Sequence, residues 1–236
     1  MVEPLKELYI HHHLGLGDHI ICNGLVRNIH KRITPNIHLF CKPMYHESIV
    51  YMYRDTNINI IPLDDHDIAP FLSKIDFKNI IKVGHHHIMK YIQGTTFDHA
   101  FYKQVGLDFK KRWSDFYIER DQTKEEELYQ KINPPEKYVF LHDDPSRNFV
   151  IDQKYIINKD LKIIKPDLKL TSNIFEYAKI LENATEIHCI DSCFRLFADS
   201  FLEEKNEQSL FFHFRLLDEI IKDRTYAQSR LPWKFI

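Results

Sequence analysis

The chain has 236 residues, 44% of them hydrophobic and 28% charged, the make-up of a globular protein and not of a disordered one. That length accommodates two small domains. A formal net charge of −2 carries no global basic excess, which argues against a nucleic-acid partner, and no apolar run approaches the roughly 18 residues of a transmembrane segment.

The opening residues, MVEPLKELYI, lack the basic start and long apolar run of a secretory signal. Residues 5–12 (LKELYIHH) read as a first strand, followed by the glycine turn Leu14-Gly15-Leu16-Gly17-Asp18. Ile21, Leu25 and Ile29 then fall on one face of a helix that stops before Pro35. Residues 37–41 are a second strand, 44–53 a short helix opened by Pro43, 58–62 a third strand and 79–83 a fourth. Such alternation at short spacing predicts a parallel sheet with crossover helices. Residues 97–104 read as helical.

The charged stretch 121–136 reads as a surface helix and a turn ending in Asn133-Pro134-Pro135. It divides the chain into an N-terminal half, 1–120, and a C-terminal half, 121–236. The second half repeats the alternation, with strands at 137–142, 161–164, 186–190 and 209–214. Asn173 and Glu176 have the spacing of a capping box, and Asp191-Ser192 opens another helix. The expected fold is therefore α/β, two Rossmann-like halves with parallel sheets.

Gly15 and Gly17 permit a tight turn and close backbone approach to a ligand at the carboxyl end of the first strand, where open parallel sheets bind ligands. Ile20 stands where a dinucleotide fingerprint has its third glycine, so the pattern does not point to a dinucleotide. On these residues alone, Asp18 is either a helix cap or a site carboxylate. Gly15-Leu16-Gly17-Asp18-His19-Ile20-Ile21, followed by Leu25-Val26-Arg27, resembles the N-terminal motif of heptosyltransferase-type glycosyltransferases of the GT-B class. The resemblance implies that Asp18 is the general base that deprotonates an acceptor hydroxyl, a task suited to a carboxylate. Asn23-Gly24 departs from the proline that the family often carries nearby.

In the second half, Glu186-Ile187-His188-Cys189-Ile190-Asp191-Ser192 is a strand ending in Asp-Ser at a helix start, and it resembles the donor half of the same enzymes. A helix N-terminus offers free amides and a favourable dipole to a diphosphate, and Ser192 adds a hydroxyl. An aspartate repels phosphate, so Asp191 is expected to orient the turn or bind a hydroxyl, or else simply to cap the helix. Arg195 would add positive charge where the family commonly has glycine and histidine. His142-Asp143-Asp144-Pro145-Ser146-Arg147 follows another strand, and its family counterpart approaches the donor phosphates, with Arg147 as the candidate for bidentate pairing. Asp143 and Asp144 read either as metal ligands or as part of a solvated turn.

His11-His12-His13 and His85-His86-His87 both end strands of the first half. They have three readings: a metal site, sugar-binding groups, or core and solvent-facing residues. His13 lies nearest the glycine turn. Cys22, Cys41, Cys189 and Cys193 form no zinc pattern and read as reduced core cysteines, as in a cytoplasmic protein.

The resemblance thus implies a glycosyltransferase, inverting and metal-independent, with no cofactor beyond its nucleotide-sugar substrate. It would transfer to a glycan or other hydroxyl acceptor. The N-terminal half would hold the acceptor and the base, and the C-terminal half the nucleotide-sugar. Two alternatives stay open: a non-catalytic nucleotide- or glycan-binding module of the same fold, and a metal-dependent hydrolase using the histidine clusters.

Overall fold

The structure is a computed structural model and describes residues 7–32, 36–84, 95–205, 207–213 and 227–236. The His85–His87 run and the side chain of Arg147 lie outside the described residues, as do Leu5, Lys6 and Phe214 at the outer ends of two expected strands. The chain forms two compact units. It divides between Glu119 and Arg120, and a short C-terminal segment ending at Gln228 returns to the first unit before Ser229 begins the rest of the second.

The first unit contains a parallel sheet of β1 (Leu8–His11), β2 (Ile37–Cys41), β3 (Asn59–Pro62) and β4 (Ile80–Lys82), in the order β3-β2-β1-β4. The order reverses at β1, which puts a topological switch point beside the loop that follows it. That loop leads into helix α1 (Leu16–Arg32), and α2 (His46–Met52) and α3 (Asp65–Leu72) make the next crossovers. Among the described residues, α4 (Phe97–Gln104) and α5 (Lys111–Ser114) follow in the same unit. Sheet residues alternate between two faces. Tyr9 and Phe40 pack with Leu14 against Ile68 and Leu72 of α3 on one of them.

α3 is absent from the sequence reading. Pro70 sits inside it and charged residues crowd its start, so packing of Ile68 and Leu72 overrides both signals. Gly24 explains the Asn-Gly departure within α1. A Cβ there would strike the backbone oxygen of Lys111, so the α1–α5 crossing has no room for a methyl group.

The second unit contains a parallel sheet in the order β6-β5-β7-β8-β9, built from β5 (Tyr138–His142), β6 (Lys162–Ile164), β7 (Glu186–Ile190), β8 (Ser209–His213) and β9 (Lys234–Phe235). α6 (Gln122–Ile132) begins the unit, capped by the side chain of Asp121 and ended by Asn133 in the left-handed conformation, φ 45°. α7 (Ala178–Asn183) follows a 3₁₀ turn over Ile174–Tyr177, and α8 (Cys193–Phe201) follows β7. The cap at Asn173 is present, its Oδ1 accepting from the amide of Phe175, while Glu176 reaches the Asn173 side chain rather than its backbone amide. The architecture is the expected α/β one, with two parallel sheets. No helix among the described residues is long and apolar enough to cross a membrane.

Candidate active site

In the first unit the chain leaves β1 through His12, His13 and Leu14 and enters α1 at Leu16. Asp18 lies half-buried in the first turn of this helix, where the dipole favours its negative charge. Its Oδ2 folds back over Gly15, only 2.7 Å from where a Cβ on that glycine would sit, so the glycine makes room for the carboxylate. Gly17 forms part of the same first turn. One turn behind Asp18, Cys22 is fully buried, and burial, reinforced by the Asp18 charge, pushes its thiol well up.

The three histidines at the end of β1 separate. His11 faces Phe40 edge-on at 6.1 Å. His12 is fully buried, and its Nδ1 donates to the carbonyl of His13 at 2.5 Å. His13 is exposed, and its Nε2 donates to the carbonyl of Gly84 at 2.9 Å, tying the exit of β1 to the exit of β4. Gly84 has φ +79°, and a Cβ there would strike Phe101 and His13, so this contact requires glycine. Among the described residues no group of three His, Cys, Asp or Glu side chains is arranged to hold a metal ion.

In the second unit, β7 ends at Ile190 and Ser192 caps α8, its Oγ accepting from the amide of Arg195 at 3.5 Å. His142, at the end of β5, hydrogen-bonds the same Oγ through Nδ1 at 2.9 Å and leans on Phe194, the ring centroids 4.7 Å apart. Two neighbouring strand tips and a helix N-terminus therefore meet at one hydroxyl.

Asp191 is partly exposed and pairs with Arg195 at 3.0 Å. The Arg195 guanidinium is completely buried, donates to Ser229 Oγ at 2.8 Å and lies 4.4 Å from the Phe212 ring. In this geometry Arg195 holds Asp191 and the turn in place. Asp143 is nearly buried and accepts from Lys165 Nζ at 2.8 Å, and Asp144 accepts from Ser146 Oγ at 2.5 Å, so both carboxylates are engaged by neighbouring side chains. The backbone of Arg147 lies in the 3₁₀ turn Pro145–Arg147 just beyond β5.

The sequence reading missed one polar group in this unit. Glu186, His188 and His213 form a hydrogen-bonded row, with His188 Nε2 3.0 Å from Glu186 Oε2 and His188 Nδ1 2.9 Å from His213 Nε2. The signal was present: Glu186 and His188 stand two apart on an otherwise apolar strand, hence on one face.

Burial lowers the pKa of His188, partly offset by Glu186. Burial, then the His188 neighbour, takes His213 down to about 4. Burial, with His12 alongside, also puts His19 well below its ordinary value. These imidazoles fold neutral but charge in the unfolded chain below an ordinary pKa of about 6.5. The unfolded state therefore binds more protons as pH falls from about 6.5 towards 4, and stability drops across that window. Thermal melts at pH 7.5, 6, 5 and 4.5 should show a falling Tm, and a flat series would contradict neutral burial of the histidines.

No protein-family model matches the sequence, and no curated protein matches it in sequence. Solved structures do match in shape. A glycosyl transferase of family 9 from Veillonella parvula superposes with a TM-score of 0.57 at 11% identity, covering 98% of this chain and 88% of the other. The fold is GT-B-like. E. coli ADP-heptose lps heptosyltransferase II gives a TM-score of 0.54 at 9% identity, covering 98% of this chain and 90% of the other. The two parallel sheets and their crossover helices are those expected of that fold.

Proposed function

We propose that this chain is a glycosyltransferase that moves a sugar from a nucleotide-sugar to a hydroxyl acceptor, with inversion and without a metal. The single observation that carries this reading is the arrangement at Ser192. A capped helix N-terminus and His142 converge at the carboxyl ends of β5 and β7, inside a GT-B-like fold. The amides of α8 and the Ser192 hydroxyl suit a diphosphate. Arg147, in the turn beyond β5, is the partner we assign to the same phosphates, and Arg195 keeps Asp191 turned to the site edge, where it accepts from a ligand hydroxyl.

The first unit supplies the base. Asp18 accepts the acceptor's hydroxyl proton as the new C1–O bond forms and the bond from C1 to the phosphate oxygen breaks. The nucleoside diphosphate leaves with that electron pair. His13, with Gly15 and Gly17, shapes the acceptor side of the turn. Residues 1–120 would thus form the acceptor and base domain and 121–236 the nucleotide-sugar domain, in a cytoplasmic enzyme whose cysteines stay reduced.

Binding of nucleotides tests the reading. The heptosyltransferase neighbour's ADP-heptose puts ADP first in a calorimetric panel with GDP, UDP and CMP. At least one should bind, and Ser192→Ala should weaken it about 5- to 10-fold, the effect of losing one hydrogen bond and the helix cap. A wild-type chain that binds none of the four, or an alanine variant that binds equally well, would remove the donor site.

A further inference from the structure

The Glu186–His188–His213 row runs up one face of the second sheet towards the carboxyl ends of its strands. Glu186 begins β7, His188 is two residues on, and His213, the last residue of β8, is in register with Ile190, which precedes Asp191-Ser192. All three side chains are buried, at 1%, 0% and 8% exposure. The surrounding face is apolar, formed by Val139, Leu141, Ile151, Ile156 and Ile190. A buried ionic group contributes little net stability compared with apolar residues of like size, so stability alone does not account for the row.

Its hydrogen bonds fix every proton. Glu186 accepts from the amides of Ile157 (3.2 Å) and Asn158 (3.1 Å), from the Asn158 side chain and from His188, and these bonds outweigh burial to hold its carboxyl below the usual range. An ionised carboxylate only accepts, so His188 Nε2 carries a proton. Neutral His188 then presents a bare Nδ1, which must accept from His213 Nε2–H. Neutral His213 is left with a bare Nδ1, for which the described residues provide no donor. Beside it lies the ring of Tyr155, 5.7 Å between centroids and 40% exposed.

We propose that His213 Nδ1 is a ligand-binding acceptor, held bare by the Glu186–His188 relay, that takes a hydrogen bond from a ribose hydroxyl or base N–H of the donor nucleotide, with Tyr155 available to stack on the base. Glu186 and His188 are positioning residues. The inference rests on the nucleotide-sugar reading of this unit and names how the nucleoside end is selected.

The test uses the full chain with ADP, GDP, UDP and CMP as probes. Long-range ¹H–¹⁵N spectra of the histidine rings should show His213 as the Nε2–H tautomer, with an Nδ1 resonance that shifts on saturation with the nucleotide that binds. Calorimetry should find that His213→Phe, which keeps the ring volume but removes the acceptor, weakens that nucleotide about tenfold. His213→Asn, whose amide oxygen can take the Nδ1 position, should retain most of the affinity. A folded His213→Phe that binds like the wild type overturns the proposal, as does an Nδ1 resonance unmoved at saturation; the latter decides the matter if the variant does not fold. Weakening by Ser192→Ala without weakening by His213→Phe sinks this inference alone, whereas a wild-type chain that binds no nucleotide sinks it together with the donor site.

Discussion

Replacing Asp18 by asparagine should lower sugar transfer by roughly 10²- to 10⁴-fold, the range for loss of a positioned general base. Asparagine has the same shape and fits the first turn of α1 beside Gly15, but its amide accepts no proton at neutral pH. Nucleotide affinity should stay within about twofold, because the donor contacts we assign lie in the second unit. Tm should move little, since an exchange of a half-buried carboxylate for its amide leaves no cavity. Release of nucleoside diphosphate in the presence of a glycan acceptor measures the first effect and calorimetry the second. Unchanged turnover would remove Asp18 as the base while leaving the donor site untouched.

The largest stability effect should come from Asp98, in the first turn of α4. Its carboxylate and the Arg112 guanidinium are both completely buried and paired, and the same Oδ2 accepts from the amide of Gln228 at 2.9 Å. Arg112 also donates to the Gln228 carbonyl at 2.7 Å and stands 5.0 Å from the Trp113 ring. Asp98→Ala breaks this fully buried pair, which costs about 3–5 kcal/mol. That is a large share of the roughly 5–15 kcal/mol that holds a typical domain together. Removing both charges in Asp98→Ala/Arg112→Met should recover much of the loss, because methionine fills the space without needing a partner. Urea unfolding of the single and double variants decides this: a double variant no more stable than Asp98→Ala would mean that packing, not the broken ion pair, sets the cost.

What the sequence disclosed and what it hid divide along physical lines. β2 at 37–41, β7 at 186–190 and α4 at 97–104 have the bounds read from their patterns, because each carries its own apolar periodicity between clear breakers. β9 was invisible: two residues carry no period, and its partner β8 supplies the pairing. The parallel architecture was legible from alternation alone. Among the candidate residues, the glycine turn announced itself by local conformation, but the burial of Arg195 did not. An arginine three residues past a strand–helix turn reads as a free cation until Phe212 and Ser229 close over it from distant positions. The Asp98–Arg112 pair and the histidine row depend likewise on side chains brought together by tertiary packing. Spacing along the chain reports neighbours within an element, and these groups span several.

The clasp around the C-terminal segment bears on how the molecule is made. Asp199 in α8 accepts from the amides of Arg230 and Leu231 and from the indole of Trp233, all near 3.0 Å, while Asp98 holds Gln228. During synthesis from the N-terminus, both buried aspartates are left without these donors until residues 228–233 emerge from the ribosome. The open edge of β8 likewise waits for β9. Each unit therefore completes its hydrogen bonding only after residues 228–235 have been made, so the last native bonds of both form late.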